Sequence, residues 1–337
     1  MSNIKSLMFY LIQKMMLRTI VMLQFGLILT PPAGLAQQPK SNAVFTTDID
    51  NFWKAYDSAV KTDNRESQVS IIQSLYIDIG TDGLKAFMSA RNYTAENYVR
   101  LINDYPAFWK SVRKNTLAIK SQVNLIEKSV DRLKLLYPAI KPAGIYFTIG
   151  GLKSGGTTTE NMVLIGAEMA AADTGTDASE LSNWLRTVFS SQVSGNIVGL
   201  NIHEYVHTQQ KKKGSSLLAQ CLQEGSADFI AELVTRQKNL NDYMIYGQNN
   251  ETSLKLRFRN EMWRRSISNW LYNGEKSEHP DLGYFMGYTI CRAYYNRAAD
   301  KQQAVKDIIE LDYTSKDSVT NFLDKSSYYN NPNLRTQ

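Results

Sequence analysis

The chain is 337 residues long, with 38 lysines and arginines against 32 acids and a formal charge of +6. Three of those cations, Lys5, Lys14 and Arg18, fall in the first 36 residues, which hold no acid, so without that segment the balance is 35 against 32, or +3. A remainder so near neutral, with no basic-aromatic module, excludes nucleic acid as a partner read from charge. Its roughly 300 residues suffice for a substantial core in one large domain or two subdomains.

Residues 1–36 read as a cleaved export signal. The cations are followed by an apolar stretch from Thr19 to Thr30, then Pro31-Pro32 and the small residues Gly34 and Ala36 before Gln37. That stretch is far shorter than the roughly 20 residues needed to cross a bilayer, and the prolines stop a helix, so no stable membrane span is expected. The mature chain is then periplasmic or extracellular, and no cysteine stands at the cleavage point to take a lipid.

Residues 37–140 read as a helical N-terminal region, with Phe52, Trp53, Tyr56, Phe108 and Trp109 at core-like spacing and Thr94 as a helix cap. Pro138 and Pro142 mark the change to a second region, 141–326. There 144–149 and 162–166, rich in β-branched and aromatic residues, predict a hairpin across a glycine-rich turn, with 162–166 as a sheet edge open to an extended peptide. The turn lacks the spacing of a phosphate-binding loop. A further helix is expected over 177–187, opened by Asp177 or Ser179. The Asn-rich end, 327–337, reads as a frayed tail.

His203-Glu204-Tyr205-Val206-His207 is an H-E-x-x-H sequence in a chain with only three histidines. On a helix of 3.6 residues per turn, positions four apart lie about 40° from each other, so both imidazoles face one metal ion while Glu204 sits at its flank. The ion expected is a single Zn²⁺, and Glu204 is placed to take a proton from its water. The following Lys211-Lys212-Lys213-Gly214 reads as a solvated helix end.

Catalytic zinc takes three protein ligands and keeps one position open. The extension H-E-x-x-H-x-x-G-x-x-H is excluded, because Gln210 and Lys213 stand where it needs Gly and His. His279 has no local spacing to support it. Glu224 is favoured: two antiparallel helices turning around Gly214-Ser215-Ser216 have legs of nearly equal length and bring it level with the histidines. Gly225 would allow close helix approach, Asp228 would accept the second ring N–H of a ligating histidine, and Glu232 is the fallback donor.

With Glu224-Gly225-Ser226-Ala227-Asp228 downstream, the chain resembles the gluzincin metallopeptidases, in which H-E-x-x-H on one helix is completed by the Glu of E-x-x-x-D on the next. Its wording is particularly similar to a set of largely uncharacterised bacterial zinc-dependent protease-like proteins that includes relatives of a gliding-motility lipoprotein. The resemblance implies an α+β, zincin-like fold, mostly helical, with a small sheet beside the metal-binding helix. It also implies a peptide or protein substrate. Tyr284-Phe285-Met286-Gly287 looks like the Y-x-x-G opening of a helix in aminopeptidase-type members, which assigns Tyr284 the hydrogen bond to the tetrahedral intermediate, with Tyr288 as substitute; His279 is an alternative.

The expected function is therefore an exported zinc metallohydrolase, most readily a peptidase. The alternatives are a non-catalytic envelope-associated interaction protein with a structural metal, or a zinc hydrolase of a non-peptide amide or ester. Cys221 and Cys291 permit one disulfide or serve as two small buried apolar residues. Arg257, Arg259, Arg264 and Arg265, with Phe258 and Trp263, read as a solvated face packing its aromatics inward.

Overall fold

A computed structural model describes residues 43–191, 196–274 and 276–329 of the chain. The export signal expected over 1–36 and residues 330–337 of the expected tail lie outside them.

The short strand β1 (Val44–Phe45) leads into α1 (Thr47–Ala59) and α2 (Arg65–Ile72), which continues through a π-helical turn over Gln73–Ile77. Then come α3 (Asp82–Arg91), α4 (Ala95–Asp104), α5 (Pro106–Ala118) and α6 (Val123–Leu136). Thr94 caps α4 reciprocally with Asn97, fixing where that helix starts. Phe52, Trp53, Tyr56, Phe108 and Trp109 are all buried, with the Phe52 and Trp109 rings 5.1 Å apart. The polar ends of this aromatic core point at the sheet. Tyr76 and Tyr98 donate to the carbonyl of Ile149 at 2.8 and 2.6 Å, so two helices hold the chain where it leaves a strand.

The sheet consists of β1, β2 (Gly144–Thr148), β3 (Gly156–Thr159) and β4 (Met162–Gly166) in the order β1-β2-β4-β3. β2 and β4 pair in parallel, Ile145 opposite Val163 and Phe147 opposite Ile165, so the expected hairpin between them is not formed. The connecting segment is long enough to run back along the far side of β4 as β3, which is the antiparallel partner. The edge beside the helix that carries His203 and His207 is consequently β3; β4 lies inside the sheet, buried from Val163 onward. The amides of Gly150 and Leu152 in the glycine-rich turn are both satisfied by the buried Glu168 carboxylate, at 2.7 and 2.9 Å.

After the one-turn α7 (Ala167–Ala170), the helix expected over 177–187 is displaced to α8 (Asn183–Ser191). Asp177 spends its carboxylate on the amide and hydroxyl of Ser179, closing a turn that precedes the helix. The remaining helices are α9 (Ile197–His207), α10 (Leu217–Thr235), α11 (Asp242–Asn249), α12 (Glu251–Glu261), α13 (Leu282–Arg297), α14 (Lys301–Ile309) and α15 (Lys316–Ser326). The architecture is α+β, mostly helical, with its small sheet against α9. No described helix is long and apolar enough to cross a membrane.

Two glycines set the helix packing around α10. A Cβ on Gly225 would collide with the Tyr288 amide, and one on Gly287 with the Cys221 carbonyl, so α10 and α13 touch backbone to backbone. Gly225 thus serves α13, where the sequence suggested α9. Cys221 and Cys291 are buried free thiols, both raised in pKa by burial, and they form no disulfide. Phe258 is buried edge-on to Trp270, whereas Trp263 stays on the surface beneath Lys316 instead of packing inward.

Candidate metal centre

α9 is buried along most of its length through Ile197, Val198, Ile202, Tyr205 and Val206. Tyr205 fixes its position by accepting from the Ala143 amide at 2.9 Å, just before β2. Along α9 and α10, His203 meets Asp228, His207 meets Glu224, and Gln210 meets Gln223; rising numbers against falling ones mark an antiparallel pair. Ser216 caps α10 by accepting from the Ala219 amide.

Nε2 of His203 and Nε2 of His207 lie 3.0 Å apart. Oε2 of Glu224 is 3.2 Å from the latter and 3.7 Å from the former. These three donors form a group that could hold one metal ion, and among the described residues no other such group of His, Cys, Asp and Glu is found. Each imidazole is held at its other nitrogen: His203 Nδ1 faces Asp228 Oδ1 at 2.8 Å and His207 Nδ1 faces Gln210 Oε1 at 2.6 Å. With Nδ1 donating to these oxygens, both Nε2 lone pairs point at the same place.

The fixing groups are themselves fixed. Asp228 Oδ2 accepts from Tyr243 at 2.8 Å, and the Tyr243 oxygen accepts from Asn239 and Asn241. Gln210 donates to the Gln223 carbonyl and to Ser226. Burial works against the imidazolium of His203, yet Asp228, Glu224 and Glu204 outweigh it and raise its pKa. His207 is raised by the same balance, with Glu224 as its chief partner. Burial likewise pushes Glu224 up, and the two imidazoles more than reverse it, holding that carboxylate ionised.

Glu204 is buried beside β3, with its carboxylate against the backbone of Gly156. Its pKa is raised, first by burial and also by Glu224, against the lowering pull of the imidazoles. His203, Glu204 and Tyr284 share a cleft of about 280 Å³ with Gly199, Glu232 and Asn241. The Tyr284 ring lies over that of His203, 6.1 Å between centroids and 24° from parallel.

Several residues singled out in the sequence lie elsewhere. Tyr288 donates to Glu232 at 2.7 Å, which removes it as a substitute for Tyr284 and engages the fallback donor Glu232. His279 stacks on Tyr246, outside the donor group. Conversely, Tyr272 was not anticipated: its hydroxyl donates to Glu224 Oε1 at 2.6 Å, while Lys213 lies over its ring and donates to the Tyr272 hydroxyl oxygen. Gln210 is one helical turn beyond His207, a spacing that could have found it; Tyr272 is 48 positions from Glu224 and carried no local signal.

Fold and site together define a mostly helical α+β protein with a candidate metal centre on an antiparallel helix pair. The family model described as gliding motility protein GldB matches residues 36–329, and the chain belongs to that family. No curated protein and no solved structure matches the chain.

Proposed function

We propose that this chain is an envelope-associated, zinc-binding member of its motility family and that its site performs hydrolysis, with peptides as the substrate class. The family's description supports the motility setting. The observation that carries the metal is the convergence of two oriented Nε2 atoms and one carboxylate oxygen. At zinc–donor lengths of about 2.0–2.1 Å, tetrahedral ligands stand about 3.3 Å apart, and the three separations of 3.0, 3.2 and 3.7 Å bracket that value.

Zinc bound there supplies a Lewis acid that makes water a nucleophile near neutral pH. His203, His207 and Glu224 would hold it, with Asp228 and Gln210 keeping the imidazoles turned inward. Glu204, on the cleft wall beside His203, takes the proton as the water oxygen bonds to the carbonyl carbon. Its raised pKa favours accepting that proton and later passing it to the leaving amine as the C–N bond breaks. Tyr284 donates a hydrogen bond to the developing oxyanion.

The family membership favours a second reading, a non-catalytic interaction protein in which the metal only fastens α9 to α10. The family is described by motility and not by hydrolysis, so the comparisons lend this reading more support than the enzyme. The retained Glu204, which a structural metal does not need, supports the first. The two separate in one experiment: purified protein is analysed for zinc and assayed on mixed peptides beside E204Q. Hydrolysis by the parent, with zinc retained and turnover gone in E204Q, is the expected result. Equal turnover by both defeats the assignment of Glu204; no turnover, with chelation unfolding the chain, establishes the structural metal.

A further inference from the structure

We infer that Tyr272 is a positioning residue of the metal centre, restricting Glu224 to a single ligating oxygen. The inference rests on the zinc reading above and adds a residue that neither the H-E-x-x-H motif nor the E-x-x-x-D motif contains.

The carboxylate of Glu224 has two oxygens in two different settings. Oε2 faces the imidazoles, whereas Oε1 accepts from the Tyr272 hydroxyl at 2.6 Å. A carboxylate with both oxygens free can chelate a cation through both; one whose second oxygen already accepts from a phenol has one lone pair and part of its charge engaged there, and its free oxygen is the favoured donor. Keeping Glu224 to one oxygen leaves the metal a position for water or substrate.

The loop around Tyr272 is built to hold that phenol in place. Tyr272 has φ +54°, a left-handed backbone rare for an aromatic residue. Its amide donates to Asp281 Oδ1 at 2.6 Å, and the Asp281 amide donates to Asn273 Oδ1 at 2.9 Å. The Gly283 amide closes the base of the loop on the Trp270 carbonyl at 2.7 Å. Strained backbone persists where surrounding bonds over-determine it, and such positions gather at functional sites. Tyr272 is also 55% exposed, so core packing does not hold it; the loop's own bonds fix its backbone, its hydroxyl is bonded to Glu224, and the Lys213 ammonium lies over its ring. The side chain reaches from solvent to a metal ligand, fastened at both ends.

Cobalt(II) reports this directly, because its visible absorption weakens as coordination rises from four to five. The full mature chain, Y272F and K213M are loaded with cobalt, and zinc affinity is measured by chelator competition. In Y272F the ring remains and the hydroxyl is lost: the absorption falls below that of the parent and zinc is held about tenfold more weakly. K213M, a surface change, shifts the spectrum the same way by less, and it carries the test alone where Y272F does not fold. Spectra that match the parent's, with cobalt bound, overturn the proposal. A parent that takes up no cobalt removes the metal reading itself, so the two failures are told apart.

Discussion

Gly156 leaves no room beside Glu204: a Cβ built on it would stand 2.5 Å from the carboxylate Oε1. The edge strand and α9 therefore meet where the proposed base lies, and the glycine on β3 sets the position of that base.

G156A forces the Glu204 side chain away from its present place. Zinc content is expected to stay, because His203, His207 and Glu224 are not touched, while peptide hydrolysis falls at least about tenfold and stability by about 1–3 kcal/mol. Metal analysis, a peptide assay and a denaturant titration on one preparation check all three. Full activity in G156A would mean that the present place of Glu204 is unimportant.

Asp228 holds Nδ1 of His203 and is itself held by Tyr243. D228N keeps the shape but can present an N–H where the imidazole needs an acceptor. Zinc affinity should drop about 10–100-fold, read by competition with a chelator of known affinity, with Y243F giving a smaller loss along the same axis.

The backbone contact between α10 and α13 makes G287A a severe lesion, since the new methyl group meets the Cys221 carbonyl and neither backbone can yield locally. A loss of at least about 3 kcal/mol is expected, visible in the denaturant midpoint. A neutral G287A would show that the two helices are free to part.

Glu168 is fully buried, and burial pushes its carboxyl up to about 7 despite the amides of Gly150 and Leu152, which pull it down. The folded state therefore binds a proton between about pH 4.5 and pH 7 that the unfolded state has released, and stability falls as pH rises through that window. The span corresponds to up to about 3 kcal/mol. Denaturant midpoints at pH 5 and pH 7 should differ for the parent and differ less for E168Q. Equal pH dependence in the two would show that Glu168 stays ionised throughout.

How much of this was legible in the sequence depends on the distance over which each feature is decided. The spacing of His203 and His207 is local, because one helical repeat fixes both directions. Glu224 followed from the lengths of two helix legs joined by a short turn. Asp228 followed from being one turn further along. Thr94 and its partner Asn97 are likewise a single-turn feature, and the structure shows the cap where the sequence placed it.

The errors share a different cause. The hairpin across the glycine-rich turn failed because pairing partners are chosen by the whole sheet: β2 and β4 are each apolar enough to be central, and of these three strands the threonine-rich β3 is the one suited to an edge. Tyr284 and Tyr288 lie one turn apart on the same side of α13, yet one lies over His203 and the other donates to Glu232, a difference set by what each meets at its own level of the packed helices. Nothing in either residue's neighbourhood distinguishes them.

By itself, then, the chain's order of residues determined the helix that carries both imidazoles, the acid that faces them and a helical N-terminal region, all of them consequences of periodicity and reach within a few turns. Tertiary structure alone decided that Tyr272 caps the far oxygen of Glu224, that Gly156 rather than a larger residue borders Glu204, and that Gly225 serves α13. Those are meetings of segments distant along the chain, brought about by burial of a shared core, and burial is a property of the assembled molecule that no short stretch of sequence contains.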